Sequence, residues 1–410
     1  MNMLLPGLSL HDESLLLDPY PIYSLYREND PVHWGMPYTS GSSGCWYLFR
    51  HDHVLGLLKD RRFLRKGSPA AHTARLKNAP ISHRPFLAVF DKLLLSTDPP
   101  DHRRLRMLVN KAFTPETIES HRLFIQKTTN ELIDALPASR QFDVVEDFAA
   151  PLSFTVICTI LGVPLKDVQA LRKWAEQFAN GFDLRKGEAA MFEASEGTVN
   201  LSCYFSEIFL KRRKRPCSDL ISLLIAARDN GDRLSEDELL AMCIQIMFAG
   251  YETTVSQIGE TIFSLLENRD QLELLRASPD LIRGVITESA RLNGAVQTAA
   301  PRKSIEDVKI GDKLIKAGES VIAFIGAANR DPAIFIDPDR FQPHRINTQS
   351  LAFGGGIHHC LGVILARIES EIAVNTLIQR LPHLQLQKNM PLKRRMNIVL
   401  PGFVQLMVKA

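Results

Sequence analysis

The residues with most chemistry to offer stand together at Phe353-Gly354-Gly355-Gly356-Ile357-His358-His359-Cys360-Leu361-Gly362, just ahead of a helical pattern that begins at Val363. A cysteine placed after a glycine-rich turn, at the mouth of a helix, meets backbone N–H groups and the positive end of the helix dipole. Both favour a thiolate over a thiol. A thiolate is a soft metal ligand. The glycines let the backbone pass flat and close beside a large planar partner, Phe353 can shield the sulfur from water, and His358 can reach an anionic group at the partner's edge. Read generically, the stretch is a glycine-rich loop closing onto a helix around an ordinary buried cysteine. Zinc is disfavoured, because no second Cys or His pair stands at ligand spacing near His358, His359 and Cys360.

A second group of chemically capable residues, Ala249-Gly250-Tyr251-Glu252-Thr253-Thr254, falls in the middle of a long apolar helical pattern. An acid and two hydroxyls inside a buried helix are costly and need a reason. Ala249 and Gly250 leave room for a small molecule to which Glu252 and Thr253 could relay protons. The alternatives are a solvent-facing polar turn, or a kink in which Thr253 bonds back to the preceding carbonyls. Asp98-Pro99-Pro100 suits a helix start that sets His102 and Arg106 four apart on one face, as a solvated basic stripe or as donors for buried anions. Glu288 and Arg291, three apart, are by themselves a commonplace helical ion pair.

Taken together, these motifs resemble those of the cytochrome P-450 family, in its soluble bacterial type. Phe-Gly-x-Gly-x-His-x-Cys-x-Gly is similar to the family's haem-ligating signature, and Ala-Gly-x-Glu-Thr-Thr to its oxygen-activation motif, with Tyr251 where bacterial members often have His. Asp-Pro-Pro-x-His-x-x-x-Arg, Glu288-x-x-Arg291 and Ala328-Asn-Arg330-Asp331-Pro332 extend the resemblance over nearly the whole chain. It implies haem b with Cys360 as axial iron ligand, and haem contacts from His102, Arg106, Ala249, Gly250, Arg302, Phe353, His358 and Gly362. Glu252 and Thr253 become the catalytic acid and hydroxyl, and Glu288, Arg291 and Arg345 a buried network beneath the haem.

The implied activity is insertion of one oxygen atom from O2 into a hydrophobic small molecule or natural product, by hydroxylation or epoxidation. Electrons would come from a separate ferredoxin and ferredoxin reductase-type donor, with Arg103, Arg104 and Lys111 as its docking face. Dehydrogenation or oxidative coupling on the same machinery, and a non-catalytic haem sensor or carrier, remain open. By family analogy Ala295, Val296, Thr298, Phe178, Phe182 and Val399 line the substrate pocket, along with residues 64–90, where His72, Arg75, His83 and Arg84 are candidates to anchor a carboxylate.

The elements that must position these groups follow from pattern. With 410 residues, 45% of them apolar, the chain can bury a large core. The expectation is a single domain, 1–410, mainly α with small β-sheets: a large helical lobe and a smaller strand-rich one. Ser235-Glu236-Asp237-Glu238 is a capping box opening a helix to about Glu267, on the order of 48 Å long. Residues 117–230 read as successive amphipathic helices, and short strands are expected near 31–34, 46–49, 308–324 and 397–408. Residues 64–90 lose clear periodicity. A net charge of +3 argues against a nucleic-acid partner, and Lys211-Arg-Arg-Lys-Arg215 reads as the solvated cationic end of a helix. Six scattered cysteines, no leader and no run of eighteen apolar residues lead to the expectation of a reducing cytoplasm and no membrane anchor.

Overall fold

The computed structural model describes residues 5, 8, 12–36, 44–66, 77–183, 187–227, 231–346, 349–387 and 389–410. Its axis is the helix Glu236–Glu267. Ser235 Oγ accepts the Glu238 N–H at 3.3 Å while the Glu238 carboxylate accepts the Ser235 N–H at 2.8 Å, so two of the helix's orphan donors are satisfied reciprocally. The helix is apolar on most of its circumference and buried accordingly. Helices Ala150–Leu161, Ile282–Leu292 and Val363–Arg380 pack against it.

The strand-rich part is a five-stranded sheet in the order Val32–Gly35, Cys45–Leu48, Ser320–Ala323, Arg302–Ser304, Phe63–Leu64. Cys45–Leu48 and Ser320–Ala323 run parallel and the other neighbours antiparallel. Three departures from the sequence reading have physical causes. Within residues 64–90, Arg84–Phe90 is a helix with Pro85 in its first turn, where a missing N–H costs nothing. Gln141–Asp143 is a strand inside the expected run of helices, because it pairs with the distant Met407–Lys409. Two helices, Val144–Leu161 and Glu236–Glu267, are long and apolar enough to cross a membrane, yet 72% of each apolar window is buried inside the protein.

One buried ion cluster joins the helical part to the segment leading into the cysteine loop. Arg291 donates to both Glu288 carboxylate oxygens, at 2.7 and 2.8 Å, and Arg345 Nε donates to the same carboxylate at 3.1 Å. Arg291 also donates to the Asn329 and Pro338 carbonyls, each at 2.7 Å, and its guanidinium lies 5.1 Å from the Phe335 ring centre. Asn329 Oδ1 in turn accepts the Leu351 N–H at 2.7 Å, two residues before Phe353. The Arg291 and Glu288 side chains are 2% and 4% exposed. Removing one member leaves buried charge unanswered. Glu288→Ala and Arg291→Ala should each lower unfolding free energy by about 3–5 kcal/mol, read from chemical denaturation. A midpoint near wild type would reduce the cluster to an ordinary ion pair.

Glu369, on helix Val363–Arg380, is 1% exposed and accepts a 2.5 Å hydrogen bond from Ser153 on Ala150–Leu161. Burial pushes its carboxyl from 4.5 up to about 7, against the Ser153 bond. The folded state therefore holds a proton that the unfolded state releases, so this stability is complete below about pH 4.5 and lost as pH rises through about 7. Glu369→Gln should flatten that decline, gaining on the order of 3 kcal/mol on wild type between pH 5 and pH 8. Parallel urea titrations at the two pH values measure it, and equal slopes in both proteins would contradict it.

Candidate functional site

The cysteine loop is held by its own backbone. Gly354 N–H donates to Leu351 O at 2.8 Å, and Cys360 N–H to Phe353 O at 2.9 Å. Gly356 has φ +63°, and a Cβ there would stand 2.2 Å from the Leu58 carbonyl oxygen, so only glycine lets the loop pass this close to helix His51–Lys59. Gly362 opens helix Val363–Arg380, and its N–H donates to the Cys360 sulfur. The half-buried thiol nevertheless titrates above its ordinary range: burial outweighs the Gly362 N–H and the Arg106 and Arg367 charges. The helix terminus alone does not make the thiolate expected from the sequence. A metal cation bound to the sulfur would supply the missing charge.

Cys360 opens into a cavity that it shares with Ala249, Gly250, Thr253 and Thr254 of the long helix. Leu94, Phe113, Ile157, Ile246 and Leu365 give it apolar walls. Thr253 Oγ1 donates to Ala249 O at 2.7 Å and Thr254 Oγ1 to Gly250 O at 2.8 Å, so both hydroxyls bond back along the helix while lining the cavity.

Another part of the wall is cationic. Arg65, His102, Arg106, His358 and His359 line it, and among the described residues no Asp or Glu does. The His102 and His358 rings meet edge-on with centres 4.5 Å apart. Burial lowers His102 to about 4, helped by the Arg106 charge, and burial with Arg65, His102, Arg302 and Arg106 lowers His358 to about 2. Both rings are therefore neutral near pH 7. His102 Nε2 is buried with no hydrogen-bond partner among the described residues. So is Nε of Arg302, a residue 4% exposed whose Nη1 donates to Leu57 O at 2.8 Å. Such groups are rarely left unsatisfied, and here they ask for acceptors that carry negative charge.

A family model described as cytochrome P-450 matches residues 189–406. A biotin biosynthesis cytochrome P-450 of Bacillus subtilis (strain 168) is 38% identical over 381 residues, covering 92% of this chain and 93% of the relative. The mycinamicin IV hydroxylase/epoxidase of Micromonospora griseorubida is 38% identical over 366 residues, 89% of this chain and 88% of its own. The crystal structure of P-450BioI in complex with hexadec-9Z-enoic acid ligated acyl carrier protein superposes with a TM-score of 0.89 at 35% identity, covering 97% of this chain and 99% of the other. The chain belongs to the cytochrome P-450 family. It is a monooxygenase, an oxidoreductase of a family that uses haem, accepts electrons from redox partners and binds hydrophobic substrates. Haem fits this P-450 cavity on the structure's own terms: a thiol for the iron, apolar walls for the ring, and arginines and histidines for the propionates, with no Asp or Glu among the described lining residues and His102 Nε2 unpartnered there.

The structure gathers Cys360, His102, Arg106, His358, Ala249, Gly250, Thr253 and Gly362 around this cavity. Gly250 differs in detail from the expectation of open space: a Cβ there would meet Ile157 Cδ1 at 2.8 Å, so its missing side chain admits the neighbouring helix. Phe353 presents its carbonyl to Cys360, and its ring lies 5.3 Å from the Arg367 guanidinium.

Glu252 is placed elsewhere. It is buried and ion-paired with Arg395, lining a second cavity with Arg172, Glu176 and Tyr251. Burial raises its carboxyl, against the Arg395 charge. Tyr251 has its own reason to be there, since its hydroxyl donates to Glu176 and accepts from Arg172, each at 3.1 Å.

The substrate-pocket residues also lie outside the cysteine cavity. Phe178 and Phe182 pack with Phe86, Phe90 and Phe248 in an aromatic cluster, the Phe182 and Phe248 rings stacked 4.8 Å apart. Thr298 bridges to Phe324, while Ala295, Val296 and Val399 flank the Gln297 N–H to Val399 O bond of 3.1 Å. His72 and Arg75 lie outside the described residues. Arg84 Nε donates to Ala79 O at 3.4 Å, and His83 belongs to the short turn of helix before it. Arg104, expected on a docking face, is spent within the chain on Glu238 and Asp232. Sequence reasoning missed Arg65 and Gln245 on the cavity wall, as neither belongs to a local motif.

Proposed function

We propose that this P-450 uses haem b to insert one atom of O2 into a hydrophobic natural product in the bacterial cytoplasm, by hydroxylation or epoxidation, with a ferredoxin-type protein as electron donor. The observation that carries this reading is the meeting of one thiol, one helix hydroxyl pair and an acid-free cationic edge in a single apolar cavity. Haem b, when bound, supplies the redox-active iron at which O2 is reduced and cleaved.

The chain's own groups divide the remaining work. Cys360 Sγ would hold the iron, with the Gly362 N–H tuning its charge. His102 Nε2 and Arg302 Nε would hold the propionates, which the neutral histidine can do without adding charge. Leu94, Phe113, Ile157, Ile246 and Leu365 exclude water, so any hydrogen bond inside the cavity is strong. Thr253 Oγ1, which donates to Ala249 O and lines the cavity, would turn its proton toward the reacting oxygen. Glu252 holds its proton supply outside the cavity, behind the Arg395 ion pair. The fatty acyl group and acyl carrier protein of the structural neighbour make acyl compounds the first class to screen as ligands.

Cys360→Ser should abolish the thiolate-specific red-shifted Soret band of the ferrous carbon monoxide complex, while Ser at Cys203 or Cys217, both exposed, should leave it in place. An intact band in Cys360→Ser would remove the ligand assignment. Thr253→Ala removes a hydrogen bond worth about 1 kcal/mol in a neutral setting and more toward a charged oxygen. Product per reduced cofactor consumed should therefore fall severalfold while hydrogen peroxide rises, and the rate of cofactor consumption should hold. Equal coupling in mutant and wild type would leave Thr253 only its helix bond to Ala249.

A further inference from the structure

Helix Gly187–Lys214 turns an apolar stripe away from the protein. Phe192, Val199, Cys203 and Leu210 follow one another at spacings of seven, four and seven residues, which at 3.6 residues per turn keeps them on one line. Phe192 is 53% exposed, Val199 47% and Leu210 59%, and Cys203 is exposed as well. A single surface apolar residue is ordinary, but a line of them on one face forms a patch. The helix cannot roll to bury it. Ala194, Gly197, Leu201, Phe205 and Ile208 bury the opposite face, and a Cβ on Gly197 would stand 2.6 Å from Trp174 O, so helix Val168–Asn180 already lies in backbone contact.

The exposed stripe reads alike in both directions from Leu201. Val199 matches Cys203, Glu196 matches Ser206, and Phe192 matches Leu210. The two ends differ in charge. Glu188, Glu193 and Glu196 stand in the first half, and no Lys or Arg precedes Lys211 in the helix. Lys211, Arg213 and Lys214 are exposed at its end, with Glu207 one turn before Lys211 at 3.9 Å. Arg212 turns inward, onto Asp219 and, at 2.7 Å, Gly162 O.

We propose that this face is a homodimer interface, in which two copies of helix Gly187–Lys214 pair antiparallel about Leu201. Phe192 then meets the partner's Leu210, Val199 meets the partner's Cys203, and Glu196 accepts from the hydroxyl of the partner's Ser206. Glu188 comes level with the partner's Lys214, so each acidic end lies on a basic one. A shallow groove bounded by Phe192 and Val199 on the helix and by Ser82 and Pro85 beside it is covered in the same register. A parallel pair would set like charges together, and the acidic end would be repelled by an anionic lipid surface. A second copy turned end for end answers both ends at once. The seam is about 27 Å long and one helix wide, less than the roughly 800 Å² per partner of a standard interface, so the dimer should be weak.

Sedimentation velocity on the full chain, between about 1 and 200 μM, tests this, and wild type should pass from monomer to dimer with a dissociation constant on the order of 10 μM. Val199→Lys and Leu210→Glu change exposed positions and should each weaken association roughly tenfold or more. Glu188→Lys and Lys214→Glu should each weaken it severalfold, while the double variant recovers it, a rescue that requires the antiparallel register. In a Cys217→Ser background, Val199→Cys should give a disulfide-linked dimer when oxidised with copper phenanthroline, and no such dimer once Cys203 is also replaced by Ser. A monomer at every concentration overturns the proposal. So does a dimer indifferent to Val199→Lys and Leu210→Glu, whose contact must lie elsewhere. A monomer that floats with vesicles of phosphatidylcholine and phosphatidylglycerol overturns it in favour of a lipid surface.

Discussion

Burying positive charge without its counter-charge is the constraint on which the site depends. Arg302 is 4% exposed and its Nε finds no acceptor among the described residues; the neutral His102, 3% exposed, has its Nε2 unpartnered in the same way. Desolvation of such groups costs kilocalories, and folded proteins rarely leave them so. The fold tolerates the arrangement because backbone carbonyls of helix His51–Lys59 grip one nitrogen of Arg302, and because burial leaves both histidines neutral. What remains are buried nitrogens of His102 and Arg302 that a bound anion would satisfy. A ligand that satisfied them would stabilise the folded chain by mass action.

Support for the thiol runs through a different chain of contacts. Glu288 is answered by two arginines, Arg291 reaches Asn329 O, and Asn329 Oδ1 fixes the Leu351 N–H at the entrance of the cysteine loop. The sulfur's position therefore inherits the rigidity of a fully satisfied ion cluster on a neighbouring helix. Such clusters add little net stability over a packed apolar core, but they specify one arrangement strongly because every alternative strands a charge. Placement to a fraction of an ångström is what a metal ligand needs, more than it needs stability.

Much of this was legible in the sequence because its causes are local. Ser235 and Glu238 announce the long helix by their own capping bonds, and the loop glycines by the backbone geometry they alone permit. The cysteine loop and the Ala249–Thr254 turn carry their chemistry in contiguous letters, so their meeting could be anticipated. The rest is non-local. Gln141–Asp143 is a strand only because the chain's end pairs with it, and Arg65 reaches the cavity only through the register of two strands more than two hundred residues apart. The direction of Glu252 was hidden as well, since it depends on Arg395, a residue on the C-terminal segment.

That last point bears on how the long helix works. Arg394 and Arg395, adjacent in sequence, answer Glu260 and Glu252, two buried acids eight residues apart on one helix. Arg394 also lies 4.1 Å from the Phe403 ring centre, within the hairpin that Lys393–Arg394 forms with Phe403–Gln405. The hairpin is thus fastened over the helix at two charged points. Thr253 and Glu252 are neighbours in the chain, yet the helical turn sends one into the thiol's cavity and the other into the arginine-lined one. Consecutive helix positions lie about 100° apart, so the two cannot share a face without movement. Gly250 does not open a way between the two faces, because Ile157 of the neighbouring helix packs into the space its missing side chain leaves. The helix thus keeps the buried acid, held by Arg395, apart from the apolar walls of the thiol's cavity, although it stands one residue from Thr253.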